Sequence, residues 1–175
     1  AFDLIYGLPT ATVALPAATL PLITLRPENG TSPFHWTVLS GVMPVGLRLD
    51  DGGELTGAAL VTGTFPLVVL VQDGIGLTAQ GNLTLAVSDP DIPLARLTSS
   101  FLLTGLQLTT AQVQFLDREG NGDGTYDLGD FRAWVLAHPD LPLTAEVEAL
   151  VGPRTVVVPM GSAPTGDGSG GGVGR

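Results

Sequence analysis

Cysteine is absent, lysine and arginine together number only seven, and no apolar run is long enough to cross a bilayer. Each absence excludes something. Without cysteine there is no disulfide framework, no thiolate nucleophile and no thiolate metal site. Seven basic residues against 17 acidic ones leave a net charge of −10 and no cluster to neutralise phosphates, so nucleic acid is excluded as a partner. A spanning helix needs about 18 or more consecutive apolar residues. The greasiest stretch, "TFPLVVLVQDGIGLTA", is cut by Pro66, Asp73, Gly74 and Gly76. Histidine occurs twice, and no H-E-x-x-H, G-x-S-x-G or phosphate-binding loop accompanies it. His35 alternates with apolar neighbours on a strand, and His138 ends a helix, where a cation suits the dipole. The expectation is a protein without catalytic residues, not an enzyme.

Charge itself is scarce. Charged residues make up 14% of the chain and apolar ones 44%, where an ordinary soluble domain carries about 25% charged. Much of the surface is therefore uncharged, made of Thr, Gly and Pro or buried against other subunits, since large apolar patches are rarely left open on monomers. The acidic balance makes divalent cations the natural partners. Its 175 residues suffice for one medium domain or two small ones. Ala1 in place of Met is what removal of an export signal would leave.

Residues 1–90 read as strands: short β-branched runs, "ITL", "FHWTVLS", "GLRLD", "FPLVVLVQD" and "GNLTLAVS", separated by Gly, Pro and Asp-Gly. Alternation in "FHWTVLS" puts Phe34, Trp36 and Val38 on one face and His35, Thr37 and Leu39 on the other. "DDGG" at 50–53 is a tight reversal, with Asp50 and Asp51 as turn residues. The run from Phe65 to Gln72 is apolar on both faces, which predicts a cover for Val68 and Leu70. Spacing and patterning predict a β-sandwich.

After "SDPDIP" at 88–93 the pattern turns helical. "TTAQVQFLD" carries a Thr cap at 109 or 110 and "GDFRAWVLAHP" stops before Pro139, while "TAEVEALVG" is capped by Thr144 and ended by Gly152. Asp89 and Asp91 read as hinge residues and as candidate ligands of a second calcium between the modules. Residues 153–175 are an extended Gly-rich tail that gains little from ordering by itself. The expected domains are 1–90, 91–152 and 153–175. Asn29 and Asn82 each open an N-x-T triplet, a pattern frequent by chance.

"EGNGDGTYDLGD", residues 119–130, is the densest polar stretch. A calcium loop of the EF-hand kind sets oxygens at positions 1, 3, 5, 7, 9 and 12 and Gly at 6. With Gly124 sixth, the ligands are Glu119, Asn121, Asp123, the Thr125 carbonyl, Asp127 and Asp130. Starting instead at Asp117 puts Gly122 sixth and leaves Leu128 at the last position, which offers no ligand, so the first register is preferred. The predicted ion is Ca2+, held with affinity of order 10⁻⁴ to 10⁻³ M as in extracellular modules.

"NGDGTYDLGDFRAWV" resembles the repeat of bacterial dockerin modules. The resemblance implies an EF-hand-like helical module, calcium held by Asn121, Asp123, Asp127 and Asp130, and a cohesin-type partner. A dockerin carries two such repeats, and one is found here. Residues 43–87 are similar to the Ig-like, cadherin-like repeat of bacterial surface proteins, through Pro44, Gly46, Leu47, Leu49, Gly53, Leu55, Gly57, Gly63, Phe65 and Asp73. That implies a secreted, extracellular protein of the cell surface.

The resulting expectation is mainly β: an Ig-like β-sandwich, a small dockerin-like helical module and a tail. Its function would be structural and non-enzymatic, with calcium stiffening the helices and copies assembling into an extracellular filament or surface layer. Strand addition by "TVVVPM" at 155–160 or by the N-terminal "ATVALPAATL" would link copies. The alternative is an accessory anchoring module of a secreted hydrolase. A carbohydrate-binding role is least favoured, because Trp and Tyr number two each and sit in core-like contexts.

Overall fold

The computed structural model describes residues 10–102 and 107–152. Seven strands precede four helices: β1 (Thr10–Pro16), β2 (Ile23–Thr24), β3 (His35–Gly41), β4 (Leu47–Leu49), β5 (Glu54–Gly57), β6 (Gly63–Gln72) and β7 (Thr78–Ser88), then α1 (Leu94–Phe101), α2 (Thr110–Glu119), α3 (Leu128–Ala137) and α4 (Ala145–Val151). The strands form two sheets, one ordered β1-β7-β6-β3 and the other β2-β5-β4.

The four-stranded sheet is organised by the β6–β7 hairpin, paired without a break from Gly63 opposite Val87 to Gln72 opposite Thr78. Its turn is tied by Asp73, whose Oδ1 accepts from the Ile75 and Leu77 amides while Oδ2 accepts from the Thr31 amide of a distant loop. Burial is the largest single influence on this carboxyl and opposes ionisation. The N–H donors of Thr31, Leu77, Ile75 and Gly76 together outweigh it and hold the group below its ordinary value.

Alternation then sorts the side chains. Leu67, Val69 and Val71 of β6, Leu83, Leu85 and Val87 of β7, Trp36 of β3 and Leu15 of β1 are buried, and they meet Leu47 and Leu55 of the other sheet, with Leu25 just past β2, in one core. The same core continues into the helices through Leu97, Phe115, Leu116, Phe131, Trp134, Val135, Val147 and Val151. At about 25 cal/mol per Å² of apolar surface, continuity of this kind is what holds short helices that would be marginal alone.

One expectation is corrected. The N-terminal "ATVALPAATL" is not free for donation, because β1 already lies parallel to β7, with Val13 opposite Leu85 and Leu15 opposite Val87. Its inward Leu15 is buried in the core of its own chain. Among the described residues, the outward Val68 and Leu70 of β6 are half-buried, and exposed Thr37 and Gln80 flank Leu70. The expected tail, "TVVVPM" included, lies outside the described residues. Among the described residues no helix is long and apolar enough to cross a membrane.

Candidate cation site

Helix α2 begins with a reciprocal cap: the Thr109 hydroxyl accepts from the Gln112 amide at 3.2 Å, and Gln112 Oε1 accepts from the Thr109 amide at 3.0 Å. It runs through Glu119 and stops at Gly120, where the amide bonds back to Leu116 and Asp117 carbonyls. Gly120 must be glycine, because a Cβ there would stand 2.1 Å from Asp130 Oδ1 and 2.7 Å from Asp130 Cα. That close approach brings the two ends of the loop together.

Asp130 is the clasp. Fully buried, it accepts from the Asn121 amide at 3.0 Å through Oδ1 and from the Asp127 amide at 2.9 Å through Oδ2. Asp127 is the N-cap of α3, with Oδ1 accepting from the Gly129 amide at 2.6 Å. Between these ends the chain folds around polar side chains. Asn121 Oδ1 accepts from the Asp123 amide, and Asp123 Oδ1 accepts from both the amide and the hydroxyl of Thr125. Those two Thr125 donors, with Asn121 opposite, hold the Asp123 carboxyl below its ordinary value against the pull of partial burial. Gly124, at φ 93°, supplies the left-handed step of the turn.

Asn121 Nδ2 donates to Asp123 Oδ2 at 3.2 Å and lies 3.5 Å from Asp127 Oδ2. An amide hydrogen thus sits where two carboxylates converge, the position a small cation would take; a rotated amide presents its oxygen there instead. Among the described residues no three Asp, Glu, His or Cys side chains stand together to hold a metal. The convergence is of two carboxylates and one amide.

The predicted ligands therefore divide. Asn121, Asp123, Thr125 and Asp127 share the loop, and Asp130 underpins it, with both carboxylate oxygens engaged by backbone amides. Glu119 is not brought to them: it is exposed and lines a groove with Asp89, Trp134 and His138. Asp117 is the carboxylate that enters, its Oδ1 accepting from the Gly124 amide at 2.8 Å. The reason is helical geometry, since α2 continues through Glu119 and residues two apart on a helix face different ways. Spacing alone favoured Glu119. Asp117 stands seven residues before Gly124, and which carboxylate meets that amide depends on where α2 ends, which spacing does not show.

The loop is fixed to its surroundings. Phe115 and Trp134 pack edge to face at 5.9 Å between α2 and α3, and the Tyr126 hydroxyl donates to the Leu97 carbonyl of α1 at 3.3 Å. Burial first, then the negative charge of Asp130, pushes that phenol well above its ordinary range, so it stays a donor. His138 stacks on Trp134 at 3.8 Å, its Nδ1 lies 2.8 Å from the Trp134 carbonyl, and its Nε2 is 3.7 Å from Asp89. Asp89 of the hinge thus faces an imidazole, and Asp91 is exposed. His35 lies at the surface, 2.6 Å from Asp51.

No family model matches the chain, and no curated protein does. Solved structures show partial likeness. An alpha-galactosidase/melibiase from Bacteroides fragilis is 26% identical over 44% of this chain and 16% of that one, with a TM-score of 0.38. The third cadherin domain of human protocadherin 7 is 19% identical over 49% of this chain and 87% of its own, with a TM-score of 0.37. The protocadherin gammaB7 EC3-6 cis-dimer is 19% identical over 48% of this chain and 21% of its own, with a TM-score of 0.36. The chain thus spans a small part of the length of two of these structures, and at TM-scores this low the likenesses define neither its family nor its activity.

Proposed function

We propose that the chain is a non-enzymatic, extracellular structural protein in which one bound calcium ion stiffens an EF-hand-like helical unit packed on an Ig-like β-sandwich, and that copies associate into a filament or surface layer. The observation that carries the calcium reading is the convergence of Asp123 and Asp127 on the Asn121 amide, beneath a turn whose glycine amide is held by Asp117. Calcium prefers six to eight oxygens at 2.3–2.6 Å. Asp117, Asn121, Asp123 and Asp127 would supply side-chain oxygens, Thr125 its carbonyl, and water the remainder. Glu119 has no part in this set, and Asp130 holds the loop ends from beneath. The ion supplies shape here and no chemistry: it removes the mutual repulsion of the carboxylates and couples the end of α2 to the start of α3. Extracellular calcium is abundant enough to fill a weak site, which suits an export destination. The scarcity of charged residues and the sheet face described below support association of copies.

Thermal unfolding of the full chain in chelator and in calcium tests this. At calcium about 100 times the dissociation constant, linkage raises stability by about 2.7 kcal/mol, a shift of several degrees. Asp117→Ala is expected to lose most of the shift and Glu119→Ala to keep it. Equal melting temperatures with and without calcium would end the calcium reading, and loss in Glu119→Ala with retention in Asp117→Ala would reverse the ligand assignment.

A further inference from the structure

The four-stranded sheet buries one face in the core; among the described residues its other face carries no carboxylate and no lysine or arginine. Along β1, β3, β6 and β7, every outward position is Thr, Ser, Ala, Pro, Gln, Asn or aliphatic, except His35 at the margin, which lies against Asp51. At its middle Val68 and Leu70 stand beside Leu39, which is 46% exposed at the bulge of β3. Thr12 and Thr84 sit opposite each other across the β1–β7 pair. The second sheet contrasts with this, since Arg48, Asp50, Asp51 and Glu54 crowd its strands and turn and are all exposed.

We propose that this uncharged face is the surface through which two copies of the chain associate. The inference rests on the reading that copies associate, and it names where. The reason is electrostatic. Each copy carries −10, so most approaches bring carboxylate against carboxylate, and like-charge juxtaposition is what suppresses contact between proteins. Two copies meeting through the neutral face keep their charges farthest apart and cover Val68, Leu70 and Leu39. A neutral surface offers a charged partner nothing, and with no aromatic among its outward positions it offers a sugar ring nothing to stack on.

Size sets the strength. Four strands about 4.8 Å apart and about seven residues long give a face of roughly 400 Å², against about 800 Å² per partner in a standard stable interface. Association through it is therefore weak and reversible, suited to a lateral contact in an array where each copy has other neighbours. Salt should strengthen it, because screening removes the residual repulsion without touching apolar contact.

Sedimentation velocity on the full chain across a concentration series, in saturating calcium, tests the proposal. The variant is Thr12→Glu with Thr84→Glu; both residues face outward, and unchanged melting of the dilute monomer shows the fold is kept. The wild type should sediment faster as concentration rises, and the variant should need about tenfold or more higher concentration for the same change, the consequence of about 1.4 kcal/mol of added repulsion. Equal association of variant and wild type would overturn this face while leaving association itself standing. A wild type monomeric throughout would overturn both. A monomeric wild type whose variant melts at lower temperature would show instead that a segment of the same chain covers the face.

Discussion

Asp73 and Asp130 carry the same side chain and do different work, and their surroundings decide which. Asp73 holds two loops through four backbone donors and is ionised more readily than an ordinary carboxyl. Its contribution to stability is therefore complete above the unfolded value of 3.8 and is lost as the pH falls through the lower folded value. Melting temperature followed from pH 7 downward should fall less steeply below about pH 4 in Asp73→Asn than in the wild type; parallel curves would show that other carboxyls govern acid unfolding. Asp130 is the buried clasp of the loop. Asp130→Ala leaves the Asn121 and Asp127 amides without their acceptor, at a cost of about 1–3 kcal/mol even in chelator, measurable by urea unfolding. A variant destabilised only in calcium would make Asp130 a ligand first and a clasp second. At this scale the spacing Asn121, Asp123, Asp127 was legible, because alternate oxygens around a glycine turn are a local pattern. The hydrogen bond of Asp117 to the Gly124 amide was not, because it depends on where α2 ends, and helix ends are set by caps and contacts two or three residues away.

Among the elements, β3 to β7 follow from alternation and turn chemistry, α2 and α4 from their caps, and α3 from its apolar pattern and the stop before Pro139. Thr109 and Thr144 each accept the amide of the third helical residue, as their place before an apolar run suggests. The parallel strand β1 was not legible, since a sequence shows that a segment favours extension and not which strand it will join. Helix α1 was likewise unspecified beyond the change of pattern after the hinge: it starts at Pro93 without a side-chain cap and is held by Leu97 in the core. The role of β1 can be measured. Leu15→Ala, truncating a side chain 4% exposed, is expected to cost about 2–5 kcal/mol and to speed hydrogen exchange of β7 amides before those of α2 and α3. Uniform acceleration across strands and helices would show that the chain opens as one cooperative unit instead.

For the whole molecule, the distribution of charge matters more than its sum. Acidic residues gather in the loop of the helical unit and on the smaller sheet, and the larger sheet keeps a neutral outward face. Composition alone disclosed that much of the surface is uncharged, and only the pairing of strands showed that the uncharged residues share one face. The account as a whole turns on whether the loop between α2 and α3 holds an ion. Calorimetric titration of calcium into the metal-free full chain measures this directly, with a variant carrying Asp123→Asn and Asp127→Asn beside it. The predicted result is one saturable site per chain that the variant lacks; the absence of saturable binding, or equal binding by the variant, would contradict it.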